Sequence, residues 1–175
     1  MSEPGDATRT ARTQADSIAG LVRHIVAKHH GFARREIGVI KQLFARCEAR
    51  ELAEPETLAA VRRFFEEMAD DMLEHLRKEE ERLFPVLLSD SPLDDPAKLR
   101  DVMAELDLEH EAAGEALIRL QMPLAEAMLP ESDGGPLEEL RRHLRLIDKD
   151  IKDHVNVERN VLFPQVRKAM EPDAG

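Results

Sequence analysis

Two stretches of the chain repeat one pattern: His75-x-x-x-Glu79-x-x-x-Leu83-Phe84-Pro85 and His154-x-x-x-Glu158-x-x-x-Leu162-Phe163-Pro164. On a helix, a four-residue step projects both polar side chains from one face as a pair of potential metal ligands. Each copy has a lone histidine upstream, His30 before the first and His110 before the second, at the same distance to within one residue. The chain therefore reads as a duplicated helical hairpin. Packed face to face, two such hairpins bring four histidines and two glutamates together.

Periodicity predicts four amphipathic helices over 16–51, 55–88, 96–121 and 136–169. Pro55, Pro96 and Pro136 suit first helical turns, Asp95 suits an N-cap, and Gly134-Gly135 marks a break. Short links between long helices predict an all-α, up-down-up-down antiparallel four-helix bundle over 16–170. Polar tails are expected at 1–15 and 171–175, and a partial helical turn between Pro123 and Gly134.

Each helix carries an apolar seam, and the histidines and glutamates lie on it. The second seam is Leu58, Val61, Phe65, Met68, Met72, His75 and Glu79. The fourth is Leu137, Leu140, Leu144, Ile147, Ile151, His154, Glu158 and Val161. The first runs Val26, His30, Ala33, Ile37, Ile40, Phe44 and Cys47, and the third Leu99, Met103, Leu106, His110, Ala113, Leu117 and Leu120. Counting along the helices places His30 and His75 both about 30 Å from the first turn at 1.5 Å per residue. The other two hairpins balance in the same way, so all six side chains converge on one layer. An unpaired buried carboxylate costs several kcal/mol, so Glu79 and Glu158 at core positions require a cation, a proton or a partner.

Other polar residues near the seams read less sharply. His29, Asp71 and Glu109 flank proposed ligands and are candidates for orienting their imidazoles. His24 is expected on the surface and His143 at the rim of the core. The two Leu-Phe-Pro segments are expected to plug the bundle and end its regular helix. Lys78 to Arg82, apart from Glu79, reads as a solvated face.

Composition narrows the chemistry. A net charge of −11 without a basic stripe argues against nucleic acid as a partner. The single Cys47 excludes an internal disulfide, a zinc finger or a cysteine-held iron–sulfur cluster, so any metal rests on nitrogen and oxygen. No apolar run reaches the roughly 18 residues that cross a bilayer, and Glu3 and Asp6 interrupt any basic targeting segment. A cytoplasmic monomer or weak oligomer is expected. Four imidazoles and two carboxylates suit iron, manganese, zinc or copper by softness. Two metals in one layer use the carboxylates as bridges, each metal taking two histidines and one oxygen of each glutamate. An oxide, hydroxide, water or diatomic molecule completes five or six ligands, which favours iron over tetrahedral zinc.

His30, His75-x-x-x-Glu79, Glu109-His110 and His154-x-x-x-Glu158, with both Leu-Phe-Pro tails, resemble the hemerythrin-like HHE cation-binding domain. The resemblance covers about 18–170 and is closest to the iron-binding domain of the di-iron proteins called Repair of Iron Centers. It implies that His30, His75, His110 and His154 with bridging Glu79 and Glu158 hold two Fe ions joined by an oxo or hydroxo bridge. It also implies O2 or NO as ligand, damaged iron–sulfur proteins as partners, and a role in repairing iron centres under oxidative or nitrosative stress. Many such repair proteins carry a small cysteine-bearing domain ahead of the bundle, where this sequence has a short tail. Oxygen-carrying hemerythrins typically use five histidines with a glutamate and an aspartate, and a fifth well-placed histidine is not evident. Three other readings stand beside repair: an O2 or NO sensor or store without turnover, a peroxide- or NO-processing enzyme, and a purely structural bundle. The absence of Tyr and Trp removes the commonest side-chain radical partners and weakens the enzymatic reading.

Overall fold

The computed structural model describes residues 17–89, 95–126 and 134–171. The expected tail at 1–15, residues 172–175 of the expected tail at 171–175, and the segment 127–133 within the expected partial turn lie outside the described residues, as do the side chains of Leu117 and Leu120. Four long helices form the bundle: α1 over 17–49, α2 over 55–87, α3 over Pro96–Glu126 and α4 over 136–169. Neighbours in sequence pack as neighbours in space, and α1 also packs on α4, which closes the ring. Among the described residues no helix is long and apolar enough to cross a membrane.

The helix starts follow the side chains that cap them. The Thr57 N–H donates to the Glu54 carboxylate at 3.0 Å ahead of Pro55, and the Lys98 N–H donates to Asp95 at 3.0 Å ahead of Pro96. Helix α1 ends in a Schellman turn. The Leu52 N–H reaches back to the Cys47 carbonyl, the Glu51 N–H reaches Glu48, and Glu51 takes a φ of 51° between them. Helix α3 does not end before Pro123 but continues to Glu126, so the proline sits in its last turn and removes one backbone bond near the terminus.

Three helices contain a single widened π turn: Val26–His30 in α1, Glu79–Leu83 in α2 and Glu158–Leu162 in α4. Each is closed by a bond from an N–H to the carbonyl five residues back, as from Phe84 to Glu79 and from Phe163 to Glu158. The extra residue rotates the seam by one position. Val26 and Val161, expected inside, are therefore 36% and 38% exposed, while Ile25 and Leu162 are buried in their place. The same turns correct the reading of the Leu-Phe-Pro segments. Leu83, Phe84, Leu162 and Phe163 do fill the core, but helix resumes at Phe84–Leu87 and Phe163–Ala169. The wide turn just before Pro85 and Pro164 keeps each pyrrolidine ring clear of the preceding turn, and the helix survives.

The core consists of two apolar halves. One gathers Ile37, Ile40, Phe44, Val61, Phe65, Leu140 and Ile147; the other gathers Val22, Ile25, Leu83, Phe84, Met103, Leu106 and Phe163. In α1 and α4 the halves meet around His30 and His154, and in α2 they meet around His75 and Glu79. The polar layer thus lies between two hydrophobic plugs.

Candidate metal centre

The π turns place the candidate ligands. His30 closes the turn in α1, and Glu79 and Glu158 open those in α2 and α4, each one helical turn beyond His75 or His154. His110 comes from unbroken α3. All six residues are buried: His30, Glu79 and Glu158 completely, His154 to 3%, His110 to 5% and His75 to 6% exposure.

Their tips meet. Glu79 has Oε2 at 3.1 Å from His30 Nε2 and Oε1 at 3.2 Å from His75 Nε2. Glu158 has Oε2 at 3.0 Å from His110 Nε2 and Oε1 at 3.1 Å from His154 Nε2. The Nε2 atoms of His75 and His110 lie 3.1 Å apart. Two groups of donors have atoms within 4.8 Å of one another, His75–Glu79–His110–Glu158 and His30–Glu79–His154, and each could hold a metal ion. Glu79 belongs to both.

The donor set fits a cation. Both carboxylate oxygens of Glu79 and Glu158, and the Nε2 atoms of His30 and His154, are buried without a properly directed hydrogen bond. Six such atoms aimed at one layer would be costly unless a cation satisfied them. Protonation in the metal-free protein shows the same tension. Burial, then the facing Glu158, pushes Glu79 up to about 7. Burial would also raise Glu158, but the charge of His154 and the nearby His110 hold it below the usual carboxylate range. Burial opposes the charge on His154, yet Glu158 and Glu79 outweigh it and carry that imidazole to about 9.

Carboxylates behind the histidines fix the rings. His30 Nδ1 lies 2.7 Å from Glu80, which Arg34 grips with two hydrogen bonds of 2.9 and 3.0 Å. His75 Nδ1 lies 2.8 Å from Glu109, which also accepts from Lys78. Against the burial that would raise it, Lys78 and His75 hold Glu109 below the usual carboxylate range. Such contacts direct a proton to Nδ1 and leave Nε2 for the centre.

Of the flanking candidates, Glu109 thus lies against His75. His29 is fully buried, stacked on His154 at 5.3 Å between ring centroids, with Nδ1 2.9 Å from Asp150. Asp71 is exposed at a cavity rim, and no hydrogen bond joins it to the six residues among those described. His24 is exposed, and His143 pairs with Glu36 at 2.6 Å away from the layer. The reading of Lys78 to Arg82 as a wet face is corrected: Glu80 and Lys78 turn inward to the histidine braces. Glu80 follows Glu79 within the π turn, and its inward aim comes from the contacts with His30 and Arg34. Asp150, Arg34 and Glu80 were not singled out from the sequence, because nothing in their local spacing separates them from surface charges.

A family model described as the hemerythrin HHE cation binding domain matches residues 21–166. Among curated proteins, the chain is 24% identical over 150 residues to the iron-sulfur cluster repair protein ScdA of Staphylococcus epidermidis, covering 86% of this chain and 67% of that protein. It is 20% identical over 148 residues to the iron-sulfur cluster repair protein YtfE of Escherichia coli, covering 85% and 66%. The same protein of Shigella boydii matches equally. The chain thus spans about two thirds of the length of these relatives.

Proposed function

Because the chain belongs to the hemerythrin HHE cation binding domain family, we propose that it holds a non-haem di-iron centre and serves to protect or repair iron centres, iron–sulfur clusters among them, under oxidative or nitrosative stress. The likeness to proteins named for iron-sulfur cluster repair supports the role. The observation that carries the metal assignment is the way each glutamate faces two histidines, one oxygen to each. His75 and His110 with Glu79 Oε1 and Glu158 Oε2 would hold one iron, and His30 and His154 with the other two oxygens would hold its neighbour. An oxo or hydroxo bridge would complete the pair. Such a pair supplies open coordination positions and electrons for O2 or NO.

The protein's own part is to hold, orient and seal. Glu80 and Glu109 keep the imidazole protons on Nδ1 of His30 and His75. Phe84 stacks on His30 at 5.6 Å and Phe163 on His110 at 6.2 Å, so apolar rings cover these two imidazoles. Met68, Met72, Ala113 and Ala116 line a cavity of about 230 Å³ that reaches His75, His110 and His154 from the other side. Its largely apolar wall suits an uncharged diatomic molecule. A cytoplasmic setting and damaged iron–sulfur proteins as partners accompany this reading.

The test is recovery of an iron–sulfur enzyme inactivated by nitric oxide, with the iron-loaded full chain added. Faster recovery than with the same iron supplied free, lost in Glu79→Gln, supports repair. Reversible binding of O2 or NO without any recovery would instead favour a sensor or store.

A further inference from the structure

The two halves of the layer are built unequally. His30 is 0% exposed and braced by Glu80, itself gripped twice by Arg34. His154 is packed flat on His29, whose Nδ1 lies against Asp150. In the other half, His75 is braced by Glu109 and His110 lies on the Phe163 ring at 6.2 Å, but the buried Nδ1 of His110 has no hydrogen-bond partner among the described residues. The residue placed to brace it is Asp107, three residues earlier on α3, and its nearest oxygen stops 3.9 Å short. That oxygen lies 2.6 Å from Arg159 Nε instead. Arg34 and Lys78 steady a carboxylate while it bonds to a histidine; Arg159 draws one away.

The cavities, too, are distributed unequally. A groove of about 570 Å³ between α3 and α4, bounded by Asp107, Gly114, Asn156, Arg159 and Phe163, ends at His110. Gly114 leaves open space there, since a Cβ at that position would meet nothing within 4 Å. The apolar cavity on the other side also reaches His110, with His75 and His154 beside it, so His110 alone of the four histidines borders both. Neither cavity is bounded by His30. A ligand without a brace swings off its metal more readily, and one bordered by two cavities gives water or a chelator a way in.

We infer that the metal positions are inequivalent: the one held by His75 and His110 exchanges, the one held by His30 and His154 is retained, and Arg159 sets the difference by keeping Asp107 off His110. The inference rests on the two-metal reading above. It divides the centre into an exchangeable metal and a resident one within the same six ligands.

The test uses the full chain loaded with ferrous iron without oxygen, then challenged with excess chromogenic ferrous chelator while iron released per chain is followed. The expected course has two phases of one iron each, separated by roughly tenfold or more, the scale on which outer partners tune metal affinity. Arg159→Leu frees Asp107 to reach His110 and should slow the fast phase roughly tenfold. Adding Asp107→Ala to it removes the acceptor and should restore the fast phase. Glu80→Gln should speed the slow phase alone. Two irons leaving together in the wild-type chain, or a fast phase indifferent to Arg159→Leu, would overturn the inference while leaving the di-iron reading intact. A folded chain that never takes up two irons would overturn both.

Discussion

Glu79 and Glu158 are wholly buried carboxylates, and the ring of four imidazoles around them offsets part of their desolvation. Their amides would keep the shape and lose the charge. Glu79→Gln and Glu158→Gln should each retain helical circular dichroism while bound iron falls, and undiminished iron would remove these residues from the centre. Cys47 is also fully buried, and burial raises its thiol above the ordinary range. Thiol reagents should therefore label it only as fast as the bundle opens, and rapid labelling of the folded chain would contradict its packing. Phe65 and Phe44 lie ring to ring at 5.7 Å, both without exposure. Phe65→Ala should cost about 3–5 kcal/mol in denaturant unfolding, as deletions of buried aromatic rings do. At this scale the six residues of the buried layer could be read from the sequence, because an i, i+4 pair on a seam is a local pattern. Glu80, Asp150 and Arg159 could not, because their roles depend on which residue of another helix they meet.

The helices owe their site to three irregular turns. A regular α-helix through Val26–His30 or Glu158–Leu162 would carry the seam through Val26 and Val161, the expectation from a 3.6-residue period. The π turns advance it by one residue and let the histidine or glutamate and the apolar residues beyond both face inward. Helix count and approximate bounds follow from periodicity, prolines and caps such as Asp95. The slip does not, since no residue type marks a π turn. The Leu-Phe-Pro segments were the nearest signal, and the prolines there suggested a helix end where a widened turn keeps the helix going. The connection after α1 offers a separate test. Glu51 sits at φ 51°, where a side chain costs roughly 1–2 kcal/mol and glycine costs nothing sterically. After glycine's greater loss of chain entropy, Glu51→Gly should stabilise the fold by up to about 1 kcal/mol, read from the denaturant midpoint, and destabilisation would contradict the left-handed assignment.

In the whole molecule, two apolar halves clamp one polar layer. The antiparallel order brings residues far apart in sequence to the same height, as counting along the helices predicts, so the level of the site was legible before its detail. The inequality of its halves was not, because it arises from how α3 and α4 lean together around Arg159, Asp107 and His110. The family match and the layer's chemistry agree on a cation, and the central claim is that this cation is a pair of irons shared by Glu79 and Glu158. Iron content per folded chain, measured after loading and removal of loose metal, tests that claim most directly. The account predicts two irons per chain in the wild type and fewer in both glutamine variants. A fully helical chain that binds none would show that the six residues form a buried ion-pair network instead.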